Sequence, residues 1–291
     1  MLLCISHPRG CRYYLGRLMS DGPGQAPTFV PEEHHRMNFP GGMMFAPESL
    51  KDDQGRRIFW TWLLDSRVTQ RQELGVMTAP RVLSLDDAGQ LLIQPPVEFE
   101  RLRREHTAVG GLTLAAGDVV DTGVKGDVLE LLLTVSDLPP SGRLSVIVRA
   151  SDAALGKGEG AVEQTVVVVD AAEGLLSVDT TASRAAPGVG DATPDPDAMR
   201  AMFPVMGDVP TPVEAPVQSA PFALKVGEAL SLRIFVDKSV LEVYANGRQC
   251  VTSRMYPRST ASAGVGLLSQ QGSTVVTSCD AYQLATTVPV A

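Results

Sequence analysis

Leu232-Arg233-Ile234-Phe235-Val236-Asp237-Lys238-Ser239-Val240-Leu241-Glu242-Val243-Tyr244-Ala245-Asn246-Gly247-Arg248 reads as strand, turn, strand and a second turn. Leu230, Leu232, Ile234 and Val236 alternate with Ser231 and Arg233, so one face of the first strand points to a core and the other largely to water. Asn246-Gly247 supplies the positive φ values that a type I′ hairpin turn demands. The same texture extends outward from this point. Val128 to Val135, Arg143 to Ala150, Val162 to Val169 and Gln249 to Tyr256 are further strand-like runs, and their regular spacing implies a β-sandwich.

Towards the N-terminus the runs are shorter. Leu2 to Ser6, Arg12 to Arg17, Met43 to Phe45 and Arg57 to Leu64 are separated by Asp21-Gly22-Pro23-Gly24 and Asp52-Asp53-Gln54-Gly55, whose Asp and Gly residues suit tight turns. This spacing fits a propeller blade or a meander. Pro96 to Glu105 combines a leading Pro, good helix formers and apolar Phe99 and Leu102, which predicts a short helix or connector. Residues 185–221 are dominated by Ala, Pro, Gly and Asp; their prolines oppose a regular ladder and predict a long surface loop.

At 291 residues the chain exceeds the usual single-domain size, which favours two packed units. Its 27 Gly and 21 Pro fit a turn-rich, all-β protein. A formal net charge of −8 with no Lys/Arg stripe argues against nucleic acid and acidic membranes as partners and favours neutral ligands. The 4 cysteines are too few for a disulfide scaffold and read as buried apolar residues. No run approaches the roughly 18 apolar residues that span a bilayer. Met1 to Ser6 is too short for a signal-peptide apolar region, so no compartment is assigned.

Four segments in order carry a resemblance to a known family. They are Tyr13-Tyr14-Leu15-Gly16-Arg17 with Phe29-Val30-Pro31-Glu32; Phe45-Ala46-Pro47-Glu48 running into Gly55-Arg56-Arg57-Ile58-Phe59-Trp60-Thr61-Trp62; Ala79-Pro80-Arg81-Val82-Leu83 with Pro96-Val97-Glu98; and Leu232 to Tyr244 through Tyr256-Pro257. Together they resemble the C-terminal part of glycoside hydrolase family 32, the invertase and levanase type. The resemblance implies the last blades of a five-bladed β-propeller over residues 1–83 and a connector over 84–106. A β-sandwich would follow over 107–291, with 185–221 as a Pro-rich insertion.

The same resemblance implies a retaining fructosidase acting on sucrose or fructans, with no cofactor. The family's nucleophile, transition-state Asp and acid/base Glu sit in Trp-x-Asn-Asp-Pro, Arg-Asp-Pro and Glu-Cys motifs, and none of these occurs here. The implied catalytic residues therefore lie upstream of Met1, and the chain starts mid-blade. A chain without them is expected to be inactive, because retaining hydrolysis needs both a nucleophile and an acid/base carboxyl. Trp62, Phe45 and Glu48 are the substrate-binding candidates. Phe45 falls where the family often has Tyr and Glu48 where it has Gln, which alters hydrogen bonding at this rim.

Blander readings stand beside these. Phe45, Trp60 and Trp62 also suit a blade core. Asp52 and Asp53 read as a solvated turn, and His34 and His35, adjacent and on opposite faces if extended, read as loop residues. Cys4, His7 and Cys11 lack the fourth ligand of a structural zinc site. Gly156-Lys157-Gly158-Glu159-Gly160 has no helix after it to hold phosphate, and no Gly-x-Ser-x-Gly elbow is present. The alternative function is a non-catalytic sandwich module that binds carbohydrate or a partner. Incomplete blades expose apolar faces and strand edges, so a chain starting near residue 84 is expected to be more soluble than the whole.

Overall fold

A computed structural model describes residues 2–5, 11–20, 22–42, 44–64, 75–184 and 216–286. Its described residues form an all-β fold that divides into two compact units between Thr78 and Ala79. No described helix is long and apolar enough to cross a membrane.

The first unit contains two antiparallel groups. One pairs β1 (Leu2–Ile5), β2 (Arg12–Met19) and β3 (Thr28–Arg36) in that order. The other pairs β4 (Met44–Lys51), β5 (Arg57–Leu64) and β6 (Gly75–Met77). The turn before β5 is built by Asp52, which accepts hydrogen bonds from the backbone amides of Gln54 and Arg56 and from the Arg56 guanidinium. Burial pushes the Asp52 carboxyl up, but these hydrogen bonds and the Arg56 charge outweigh it and hold it below its ordinary value.

His34 and His35 do not lie in a loop. Both belong to β3, where His34 stacks on Tyr14 at 4.3 Å and His35 lies 5.3 Å from Tyr13, on opposite faces as an extended chain requires. Cross-strand ring partners on β2 explain why this polar stretch pairs at all.

The second unit is a two-sheet sandwich preceded by a hairpin. The hairpin is β7 (Arg81–Leu85) with β8 (Leu91–Gln94). One sheet contains β9 (Arg103–Ala108), β10 (Leu112–Leu114), β12 (Val128–Asp137), β17 (Leu230–Asp237), β18 (Val240–Ala245), β19 (Gln249–Arg254) and β21 (Thr274–Leu284). Its order is β10-β21-β12-β17-β18-β19, with β9 also on β21. The second sheet contains β11 (Val119–Lys125), β13 (Arg143–Ala150), β14 (Thr165–Asp170), β15 (Leu175–Asp179), β16 (Val217–Pro221) and β20 (Gly264–Gln270). Its order is β11-β20-β13-β14-β15-β16.

The core follows from strand alternation. Leu131, Leu133, Leu232, Ile234, Leu241 and Val243 of the first sheet are buried, as are Leu144, Val146, Val167, Val169, Leu176 and Val178 of the second. Each such side chain contributes roughly 1.5–3 kcal/mol of hydrophobic stabilisation. At the β18–β19 turn Asn246 and Gly247 take φ of 47° and 63°, as the Asn-Gly pair predicts.

Two further expectations change. Pro96 to Glu105 is not one helix: Val97–Leu102 forms a short 3-10 element and Arg103 already turns extended into β9. None of Val97, Phe99 and Leu102 is fully buried, so a longer helix would have little to bury, while Arg103 gains an ion pair to the buried Glu130 by leaving it. The loop expected over 185–221 ends early, because Val217–Pro221 pairs with β15 as an edge strand. Pro is tolerated there because an edge strand has one unpaired side. Residues 185–215 lie outside the described set.

The connector runs along the outside of the first sheet, across one register row: Tyr282, Glu130, Phe235, Glu242 and Thr252. Arg81, fully buried, donates to Thr252 Oγ1 and sits 3.6 Å from Glu242, whose other contacts are the Ala79 amide at 2.7 Å and the Tyr244 hydroxyl at 2.7 Å. Phe99 meets Phe235 edge-on at 5.5 Å. Arg103 makes two hydrogen bonds to Glu130, at 2.7 and 3.0 Å, and lies over the Tyr282 ring at 4.6 Å. Arg233 adds a third hydrogen bond to Glu130 at 2.5 Å. The Glu130 hydrogen bonds hold the Arg103 guanidinium above its already high ordinary pKa. Both carboxylates are thus buried with partners, the condition under which buried charge is tolerated.

Candidate functional site

Phe45, Glu48 and Trp62 come together on one face of the β4–β5 pair, and a bulge is the reason. Phe45 pairs with Trp62 and Glu48 with Trp60, so β4 advances three residues while β5 advances two. The extra residue falls at Ala46-Pro47, where Ala46 has φ 48°. Without the bulge, alternation would turn Glu48 to the opposite side. With it, Phe45, Glu48, Trp60 and Trp62 share a face, since residues 60 and 62 of a strand point the same way.

The two faces differ in environment. Met44, Phe59, Thr61 and Leu63 are buried on the opposite side, whereas Phe45, Trp60 and Trp62 are half-buried and Glu48 is exposed. Neither a full core nor open water surrounds the aromatic face. Thr61 fixes the bulge: its hydroxyl donates to Phe45 O, and its amide donates to Thr78 Oγ1 at 3.1 Å. A left-handed residue other than Gly costs roughly 1–2 kcal/mol, so the surrounding bonds must over-determine Ala46. Gly75 is required nearby, because a Cβ there would collide with Trp62 Nε1 and Leu63 O, and its φ is 149°.

Chemically, the face offers flat apolar rings and one carboxylate acceptor. Such a set suits a sugar, with polar hydroxyls at its edge and C–H groups on its face. Sequence reading named the three candidates but missed the device that unites them. Pro47 inside a strand pattern was the available signal, because strand prolines mark bulges or edges.

Other features do not assemble into a site. Among the described residues no group of three or more His, Cys, Asp or Glu is placed to hold a metal ion. Cys250 and Cys279 are buried thiols, and burial pushes both up to about 11, so neither is poised to react. In the sandwich a cleft of about 280 Å³ is lined by Ser151, Asp152, Glu163, Arg258 and Ser262 among others. Its buried Glu163 accepts from the amides of Arg258 and Ser259 and from the Ser262 hydroxyl, so the carboxylate is spent on holding that loop.

Blade-like strand groups followed by a two-sheet sandwich define an all-β protein of the propeller-plus-sandwich class. The sequence profile of "Glycosyl hydrolases family 32 C terminal" matches residues 98–283, and the chain belongs to this family of glycosidases. It is 26% identical over 235 residues to an insoluble beta-fructofuranosidase isoenzyme of Arabidopsis thaliana, covering 75% of this chain and 40% of that protein. It is 27% identical over 277 residues to the fructan 1-exohydrolase of Bromus pictus, covering 87% of this chain and 44% of that protein. The chain thus spans less than half the length of these curated relatives.

Solved structures agree on the fold. Fructan 1-exohydrolase IIa from Cichorium intybus superposes with a TM-score of 0.71 at 17% identity, over 97% of this chain and 56% of that one. Exo-inulinase from Aspergillus awamori gives 0.68 at 19% identity, over 96% and 50%. The Cichorium enzyme has also been solved in complex with 1-kestose.

Proposed function

We propose that this chain supplies the sandwich and the last blade strands of a retaining fructosidase acting on terminal β-fructofuranosyl bonds of sucrose or fructans. Its nucleophile, transition-state Asp and acid/base Glu then belong to polypeptide outside this sequence, and the chain by itself is inactive. Residues 1–83 act as the end of the propeller, 84–106 as connector and 107–291 as sandwich. The observation that carries the reading is the bulge that gathers Phe45, Glu48, Trp60 and Trp62 on one half-open face, in a chain whose family consists of glycosidases. On this reading Trp62 stacks on the sugar, Phe45 extends the apolar wall and Glu48 accepts a hydroxyl proton.

The test uses a chimera that joins the N-terminal blades of the Bromus pictus relative to this chain. Trp62→Ala should lower kcat/KM on sucrose and 1-kestose at least about tenfold, the loss of roughly 1.4 kcal/mol of aromatic contact. Unchanged kinetics in a folded chimera would remove Trp62 from the site. A second reading rests on the sandwich having its own two-sheet core, which suits a stand-alone carbohydrate-binding module. Calorimetric titration of the chain with sucrose, inulin and levan separates the two, because saturable heat without the chimera's blades favours the module.

A further inference from the structure

The sequence contains two asparagines, Asn38 before the bulky Phe39 and Asn246 before Gly247. Asn-Gly is the dipeptide in which the next amide nitrogen most easily reaches the Asn side chain, since Gly has no Cβ to obstruct it. The fold opposes that approach. Asn246 Nδ2 donates to Glu228 Oε1 at 2.7 Å and to Ala229 O at 2.9 Å, and Asn246 Oδ1 accepts from the Ser231 amide at 2.7 Å. Every polar atom of the carboxamide is engaged, and the side chain must break these bonds before it can turn towards Gly247.

The turn is also a junction of three segments. Glu228 is held by Arg248 at 2.5 and 2.7 Å, and Arg248 lies over the Phe222 ring at 4.8 Å. Gly247 O accepts from the Ile93 amide of the connector hairpin at 2.7 Å. A Cβ at Gly247 would lie 2.8 Å from Gln94 Nε2, so the connector packs directly on this glycine.

We propose that Asn246-Gly247 is a deamidation site that the native fold keeps closed and whose conversion opens the junction. In the reaction the Gly247 nitrogen bonds to Asn246 Cγ, the Cγ–Nδ2 bond breaks, and ammonia leaves with the Gly247 amide proton. Water then opens the succinimide at either carbonyl, giving Asp or isoAsp. An Asp at 246 replaces two donors with a carboxylate facing Glu228 and Ala229 O, both acceptors. IsoAsp adds a methylene to the backbone where Ile93 binds. Either product works against the closed turn, so conversion in an unfolded chain is retained as a defect on refolding.

The experiment follows the tryptic peptide Ser239–Arg248 by mass spectrometry after incubation of the whole chain at mildly alkaline pH, native and in guanidinium. Asn38 serves as the internal control. Conversion at Asn246 should be at least about tenfold slower in the native protein, given that the hydrogen bonds named above must first be lost. Equal rates in the two conditions would overturn the proposal. A second readout compares Asn246→Asp with Asn246→Gly, which keeps the positive φ without the charge. The Asp variant should melt below the Gly variant, and an Asp variant of equal or higher melting temperature would also overturn it.

One related expectation concerns acid. The Arg248 hydrogen bond is the main cause that holds the Glu228 carboxyl at about 2, against an ordinary value of 4.5. A depressed carboxylate stabilises the fold fully above its unfolded pKa and loses that contribution as pH falls towards its folded value. Wild type should therefore be more stable than Glu228→Gln at neutral pH, with the gap closing between pH 4.5 and about 2. Urea unfolding of both proteins across this range checks it.

Discussion

Glu130→Ala should destabilise the second unit by about 3–5 kcal/mol, read as a fall in melting temperature of roughly 10 °C or more. Glu130 is fully buried, and the Arg103 and Arg233 side chains it holds are each 19% exposed. Removing the acid leaves both guanidiniums without their shared counter-charge in a site water barely enters. Breaking a buried cluster this way costs more than the cluster itself adds, because the remaining charges keep their desolvation penalty. Replacing the whole triad with apolar residues of similar volume should be far milder. A loss under about 1 kcal/mol for Glu130→Ala would mean that Arg103 and Arg233 find water or other partners easily.

A second large effect concerns where the sandwich begins. A chain from residue 84 omits Ala79 and Arg81, and with them the amide donor and the ion-pair partner of the Glu242 carboxylate, the latter being the buried guanidinium that reaches Thr252. Glu242, 2% exposed, would keep only the Tyr244 hydroxyl. A chain starting at Ala79 retains every one of these contacts and begins at the boundary between the compact units. It should therefore exceed the shorter one by about 3–5 kcal/mol in urea unfolding. Equal stability would show that the connector's first residues are dispensable. The comparison refines the sequence-based expectation of a soluble piece from near residue 84, which overlooked the buried anchors at Ala79 and Arg81.

Sequence reading reached as far as local chemistry carries. Alternation at 230–236 and the Asn-Gly turn specify a hairpin by themselves, since strand period and positive φ are properties of neighbouring residues. The register row across the first sheet was hidden for the opposite reason. Glu130 stands in an apolar run, Val128 to Leu133, and only pairing with Phe235 and Tyr282 reveals that its side faces the connector. Arg103 was read as part of a short helix or connector because its partner is 27 residues away.

The candidate site shows the same division. Phe45, Glu48 and Trp62 were named from segment resemblance, yet counting along β4 puts residues 45 and 48 on opposite faces. Only the register shift at Ala46-Pro47 reunites them. His34 and His35 were misplaced because neither carries strand propensity, and what holds them in β3 is His34 stacking on Tyr14 and His35 tilting against Tyr13 of the partner strand.

The proposal that this chain lacks the acids of its reaction meets its plainest test in a single assay. The chain of residues 1–291, purified to homogeneity, is incubated with sucrose and with 1-kestose, and released fructose is measured against buffer. No release above the blank is expected, because neither a nucleophile nor a proton donor would stand at the glycosidic bond. Sustained release that co-purifies with the chain and disappears on mutation of its own carboxylates would contradict it.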